Sequence, residues 1–197
     1  HRGPRSVADR ICRACRDLLE AAGESPAAVG GVGVGSPGTI DIENGVVLFS
    51  PNLDGWHDVP LRQMVEDGLG MRCVVDNDAN VAALAEHLYG AARGAENAVM
   101  LTIGTGIGGG LILDGKLFLG EGGLTAEIGH LTVDPGGLEC GCGSRGCMET
   151  LAGGWGIARQ AKRAVAANPT AGAKLLRMAD GKAEEITAKM VADAYKK

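Results

Sequence analysis

Three of the chain's six cysteines fall within one short segment, Cys140-Gly-Cys142-Gly-Ser-Arg-Gly-Cys147, with His130 ten residues upstream. No other feature restricts the fold as tightly. Three thiolates this close in sequence can wrap one small cation only if the backbone turns sharply, and Gly141, Gly143 and Gly146 permit such turns. Three sulfurs and one imidazole nitrogen make a complete tetrahedral zinc set, which leaves no open coordination position. The metal is therefore expected to be structural rather than catalytic. The ordinary alternative is three unpaired thiols beside a core histidine. An iron–sulfur cluster fits less well, because a His ligand is unusual there. Thiols clustered in this way suit a metal in a reducing cytosol better than a disulfide framework, so a cytoplasmic location is expected. Cys12 and Cys15 lie in a helical pattern and read as ordinary helix residues.

A metal-stapled loop still needs a core around it. The 197 residues are enough for one large domain or two small ones, and 45% hydrophobic with 22% charged residues can supply that core. The 33 glycines are concentrated in tight loops rather than in a repeating triplet, which excludes collagen and disorder. A net charge of −5 disfavours nucleic-acid binding, because an acidic surface repels phosphate backbones. No apolar run approaches the roughly 20 residues of a membrane helix. The chain opens at His1 rather than Met, so its true beginning is expected to lie upstream.

Along the chain, Val7, Ile11, Leu18 and Leu19 mark one face of a helix over 6–22. An apolar run over 30–34 meets the loop-forming Gly35-Ser36-Pro37-Gly38. Residues 39–47 read as a hairpin turning at Asn44-Gly45 in a type I′ turn. Asp58 is expected to cap a helix that has Pro60 in its first turn and runs to about Leu69. A buried strand over 71–75 leads through Asp76-Asn77-Asp78 to a helix over 80–89. After Gly90–Gly94, a plausible hinge, come a strand over 98–103, the glycine-rich stretch 104–110, a second strand, an Asp114-Gly115 turn and a strand over 117–119. From Trp155 onward the pattern is helical, broken near Pro169 and Gly181, with Thr187 as a cap. The organisation expected is two α/β lobes, 1–92 with Asp76-Asn77-Asp78 and 93–197 with the glycine-rich stretch and the metal site.

Two further segments point to chemistry. Gly104-Thr105-Gly106-Ile107-Gly108-Gly109 satisfies the dinucleotide pattern, but that fingerprint requires a helix immediately afterwards. Here a strand, a turn and a strand follow. The arrangement resembles the strand–turn–strand phosphate loop of the actin-like kinases, whose β-hairpin offers backbone N–H groups to phosphate oxygens, with the Thr105 hydroxyl as a further donor here. The second segment, Asp76-Asn77-Asp78-Ala79-Asn80, sits between a strand and a helix. One of these residues is expected to cap the helix, which leaves others for ligand. A kinase needs a carboxylate to orient the acceptor hydroxyl and take its proton. Asp78 is the candidate and Asp76 the fallback, since His130 is spent on the metal.

These residues resemble the ROK family of sugar kinases and sugar-sensing repressors, over nearly the whole chain and most densely from Gly33 to Gly154. Cys140–Cys147 is similar to the family's zinc signature, Glu127-Ile-Gly-His130 to its Glu-x-Gly-His motif, Asp76-Asn77-Asp78 to its catalytic segment and Leu101–Gly110 to its second phosphate motif. The resemblance implies an actin-like (ribonuclease H-like), two-lobed α/β fold, incomplete at both ends. It implies phosphorylation of a hexose, glucose above all, by magnesium ATP, with structural zinc on His130, Cys140, Cys142 and Cys147. The general base would be Asp78. Sugar contacts would come from Asn77, Asp78, Glu127, His130 and Glu149, with Gly38 and Asn52 nearby, and phosphate contacts from Gly104, Thr105, Gly106 and Gly108. A dimer or tetramer is implied as well. The family's opening Asp-x-Gly-x-Thr hairpin and its last nucleotide-binding glycines have no counterpart between His1 and Lys197, so little or no turnover is expected from this segment alone.

Both flanking carboxylates, Glu127 three residues before His130 and Glu149 two after Cys147, would be locked by the metal, which lowers the entropy cost of holding a sugar. The rival readings are a sugar-sensing repressor of the same family, a kinase for fructose, mannose or an acetylated amino sugar, and a catalytically silent sugar-binding module.

Overall fold

The structure is a computed structural model and describes residues 3–50, 53–120 and 125–196. Its contacts divide the chain into two compact units, His1–Val99 with Gly110–Thr125, and Met100–Gly109 with Ala126–Lys197. No helix among the described residues is long and apolar enough to cross a membrane.

The first unit opens with α1 (Gly3–Ala22), which buries Ala8 and Cys12 and lays Val7 and Ile11 on the same core. β1 (Val32–Ser36) pairs in parallel with β5 (Cys73–Asn77), in a register running from Val32 opposite Cys73 to Ser36 opposite Asn77. Parallel strands need a long crossover. It contains the antiparallel sheet β2 (Thr39–Asp41), β3 (Val46–Phe49) and β4 (His57–Val59), then α2 (Leu61–Leu69). Val47, Leu61, Val65 and Val75 are wholly buried between these elements, each worth about 1.5–3 kcal/mol relative to exposure.

Two turns differ from the sequence reading. In the β2–β3 loop only Gly45 has positive φ, +68°, whereas a type I′ turn needs two such residues. The loop is closed by Asp41: its carboxylate accepts from the Asn44 N–H at 3.0 Å and the Asn44 side-chain amide at 2.8 Å, and its carbonyl accepts from the Gly45 N–H at 2.7 Å. The Asn44 amide holds the Asp41 carboxyl below its ordinary 3.8. Gly45 is required sterically as well, since a Cβ there would lie 2.4 Å from that of Arg62. The Arg62 guanidinium donates to the carbonyls of Ile42 and Glu43, both at 2.7 Å. Asp58 caps nothing. It sits in β4 at φ +50°, between the paired His57 and Val59, and α2 starts at Leu61 behind Pro60. β5 also lies later than the expected 71–75, and α3 (Asp78–Tyr89) follows it with no linker.

β6 (Ala98–Ile103), β7 (Ile107–Leu113) and β8 (Lys116–Leu117) form one sheet, and the division between units falls within β6 and within β7. Asp114 at φ +50° and Gly115 at φ +71° make the two-residue turn expected between β7 and β8. β8 is shorter than the strand expected over 117–119. The glycines from Gly108 to Gly110 are strand, not loop. A Cβ at Gly110 would come within 2.3 Å of the Ala83 Cβ, and one at Gly109 within 2.9 Å of the Ala126 carbonyl oxygen. Part of the glycine run thus serves close packing rather than a ligand.

From Met148 onward the second unit is mainly helical: α4 (Met148–Ala152), α5 (Gly154–Ala167), α6 (Ala173–Met178) and α7 (Ala188–Tyr195). Val165, Ala179 and Ile186 are its buried centre. Thr187 caps α7 by accepting from the Met190 N–H at 3.2 Å.

Candidate functional site

The cysteine segment folds back on itself through bridges between Thr132 and Cys147 and between Glu139 and Arg145. The Cys140 N–H donates to the Ser144 carbonyl at 2.9 Å, and the Gly143 N–H to the Cys140 carbonyl at 3.0 Å. Gly146, at φ +66°, cannot be replaced without movement, because a Cβ would sit 1.5 Å from the Asp134 carbonyl oxygen. His130 ends a 3₁₀ turn whose Gly129 is pressed against the Ile107 carbonyl of β7. These constraints bring one ligand atom each of His130, Cys140, Cys142 and Cys147 within 4.8 Å of one another.

Two of the six edges between these atoms match a tetrahedral ion. With zinc–sulfur bonds of about 2.3 Å and zinc–nitrogen bonds of about 2.0–2.1 Å, sulfur–sulfur edges are about 3.8 Å and sulfur–nitrogen edges about 3.6 Å. Cys142 Sγ lies 3.7 Å from Cys147 Sγ, and Cys140 Sγ lies 3.5 Å from His130 Nδ1. Burial raises the Cys140 thiol well above its ordinary 9.0, whereas the Ser144 backbone N–H lowers that of the exposed Cys142. A cation would relieve the first, since metal binding displaces thiol protons. The cluster can hold a metal by its donor set and its geometry alike.

Two carboxylates lie beside it. Glu149, in the first turn of α4, has Oε1 3.1 Å from Cys140 Sγ and 3.7 Å from His130 Nδ1, and its side chain is only 15% exposed. Glu127 Oε2 lies 3.8 Å from His130 Nε2, and its side chain is 54% exposed. Glu149 also abuts the glycine loop, where a Cβ at Gly106 would come within 2.5 Å of Glu149 Oε2. Gly106 thus lies against a carboxylate, a neighbour that spacing alone did not reveal.

Gly104–Gly106 form the tight turn between β6 and β7, and Gly108 lies within β7. A strand follows the turn, so the structure is not a dinucleotide fold. The Gly104 N–H is committed to the Gly106 carbonyl at 3.0 Å, while Thr105 is exposed. The first N–H groups of α5 donate to this turn, Gly154 to Gly104 at 2.9 Å and Trp155 to Thr105 at 3.2 Å. A groove of about 620 Å³ opens beside it, lined by Thr105, Trp155, Arg159, Lys162 and Ile186 among others. The sequence reading passed over Trp155, Arg159 and Lys162. The signal available was two cations spaced i, i+3 on the helix that follows the metal loop.

In the other unit, Asn77 is the cap of α3. Its Oδ1 accepts from the N–H groups of Ala79 at 2.9 Å and Asn80 at 3.3 Å, and its Nδ2 donates to the Gly38 carbonyl at 3.1 Å. Gly38, at φ +101°, has no room for a Cβ against the Phe49 carbonyl. Asp76 Oδ1 accepts from the Asn77 N–H at 2.6 Å and the Asn80 side chain at 3.1 Å. Asp78 is exposed, and its Oδ1 accepts from the Ala79 N–H at 2.9 Å. Asn52 lies outside the described residues.

The ROK family profile matches residues 1–196. A glucokinase of Thermotoga maritima is 46% identical over 151 residues, 77% of this chain and 47% of that protein. A xylose repressor of Caldicellulosiruptor bescii is 38% identical over 148 residues, 73% of this chain and 37% of the repressor. Among solved structures, a ROK glucokinase of Streptomyces griseus in complex with glucose and AMPPNP superposes with a TM-score of 0.82 at 42% identity, over 96% of this chain and 59% of that one. The chain spans about half the length of the curated glucokinase relatives it matches. Its α/β architecture is the actin-like fold of those kinases. By profile, by identity and by the superposition of nearly its whole length, the chain belongs to the ROK family.

Proposed function

We propose that this chain carries the sugar site and part of the donor site of an ATP-dependent hexose kinase, with glucose as the acceptor. Glu149 supports this reading most. One of its oxygens faces the Cys140 thiol at 3.1 Å and the other faces Gly106 of the glycine loop. An acceptor held by Glu149 would therefore lie beside a loop suited to donor phosphates, which is what phosphoryl transfer requires. The Thermotoga glucokinase and the Streptomyces griseus complex lend the choice of glucose and ATP.

In this reading zinc occupies His130, Cys140, Cys142 and Cys147 and serves to fix the loop. Glu149 and Glu127 accept hydrogen bonds from sugar hydroxyls, and His130 keeps its second nitrogen on the Glu127 side. Asp78 takes the proton of the attacking sugar hydroxyl as the hydroxyl oxygen bonds to the γ-phosphorus, in line with the departing ADP. Such base help is worth about 10²–10⁴-fold. Asp78 suits the task better than Asp76, whose Oδ1 already accepts two hydrogen bonds. Asn77 has spent its carbonyl oxygen on the helix cap, so it would offer the sugar an amide N–H. Thr105 and the loop N–H groups other than that of Gly104, which is spent on the Gly106 carbonyl, would receive the donor's phosphates, with magnesium accompanying ATP.

A sugar panel with ATP and magnesium, run on the full-length protein, tests this. The expected outcome is brisk phosphorylation of glucose ahead of fructose, mannose and N-acetylated hexosamines, abolished by Asp78→Asn. A different preferred hexose would overturn the acceptor assignment. The xylose repressor's 38% identity favours a second reading, a sensor that binds sugar in the same metal-locked site. Sugar binding without turnover in the full-length protein would select it.

A further inference from the structure

We propose that Arg159 and Lys162 of α5 grip the phosphoanhydride chain of the phosphoryl donor, the chemistry shared by a nucleoside triphosphate and inorganic polyphosphate. The proposal rests on the reading of Gly104–Gly106 as the donor's phosphate loop. The groove beside that loop has charged lining of one sign only: Arg159, Lys162 and Lys189, in a chain whose net charge is −5. Lys189 is already paired with Asp193 at 2.5 Å. Arg159 and Lys162 are half-buried and make no ion pair among the described residues. A partly desolvated cation without a counter-charge is costly, and an anionic ligand offsets that cost.

The spacing along α5 selects the ligand. The helix starts against the loop, where the Trp155 N–H donates to the Thr105 carbonyl. At the α-helical rise, Arg159 lies about 6 Å and Lys162 about 10 Å farther along the axis. A chain of several phosphoryl groups starting at Thr105 would pass both cations along the groove they line. Arginine adds a planar fork that can hold two phosphate oxygens at once. The bland alternative is that both side chains only lay their aliphatic stems over Ala158 and Ile186.

Methionine keeps such a stem and removes the charge, so the double variant Arg159→Met/Lys162→Met separates the two. Calorimetric titration of the metal-loaded protein with inorganic tripolyphosphate, and separately with ATP, both with magnesium, is the test. The variant should weaken binding by about tenfold or more and flatten the salt dependence, while glucose affinity and the melting temperature stay as in the parent. A drop for both ligands assigns the cations to the shared chain, and a drop for tripolyphosphate alone assigns them to an inorganic donor. Unchanged binding of both, with Thr105→Ala still weakening them, overturns the proposal and leaves the phosphate-loop reading intact. A drop for ATP alone, in a protein that binds tripolyphosphate unaltered, also overturns it. If neither ligand binds the parent protein, both readings fall. Should the double variant melt early, Lys162→Met alone carries the same test.

Discussion

Two segments hold the polar chemistry of this chain, and they are held by different means. Between His130 and Glu149 the backbone is pinned by carbonyls and glycines, with Gly146 against Asp134 and Gly129 against Ile107. The ligand atoms converge where these close approaches hold the backbone. Between Asp76 and Asn80 the polar side chains hold one another, with Asn77 capping α3 and Asp76 bridging to Asn80. The first region brings four potential metal-ligating atoms together. The second is complete as a structural device and leaves Asp78 exposed beside it. Placement in the one comes from steric exclusion along the backbone, and in the other from hydrogen bonds worth about 1 kcal/mol each.

Substitutions should expose that contrast, and the largest effect belongs to the metal loop. Cys147 is wholly buried, so Cys147→Ala removes a ligand and packed volume together. Metal analysis should find less than about half an equivalent of zinc, with a marked fall in melting temperature. A full equivalent of zinc in that variant would mean that the ligand set is different. Next comes Gly146→Ala, which combines a left-handed φ with a collision at Asp134. It should cost about 3 kcal/mol in denaturant unfolding. Gly181→Ala, at φ +80° with open space around it, should cost about 1 kcal/mol. Equal losses at the two would show that the loop is not sterically pinned.

In the other region, Asn77→Ala should cost about 1 kcal/mol through the lost cap, and Asn77→Asp should recover most of it. A loss several times larger would mean that this segment is as constrained as the metal loop. The smallest effect is at Asp41. Its carboxyl is held below 3.8 in the fold, so its contribution is present above pH 3.8 and lost as pH falls through the folded value. Asn44→Ala should move that titration upward toward 3.8 by NMR. An unmoved titration would show that another group holds it.

How much of this was legible beforehand follows from the range of the interactions. The metal ligands lie within 18 residues of one another, from His130 to Cys147, and the glycines between them announce their turns. The strand–turn–strand around Gly104–Gly106 could be read because Asp114-Gly115 fixed the hairpin after it. The Asn44-Gly45 turn misled because Asp41, outside the turn pair, decides the loop. Asp58 misled because strand pairing with β3 overrides its preference for a cap. The roles of Gly106 and Gly110 lie in what they pass, Glu149 in one case and Ala83 in the other. No local pattern encodes such neighbours. The groove on α5 was missed for the same reason, since Arg159 and Lys162 gain meaning only once α5 starts on the Thr105 carbonyl.

The central claim is that a metal on His130 and the three cysteines holds Glu149 ready for the sugar. Cys142 is the ligand to remove, because it alone of the three is exposed and its loss leaves the packing intact. Glucose affinity and zinc content, measured together on Cys142→Ala in the full-length protein, decide the matter. The account predicts that both are lost together. Glucose bound as tightly as in the parent protein, after the zinc has gone, would contradict it.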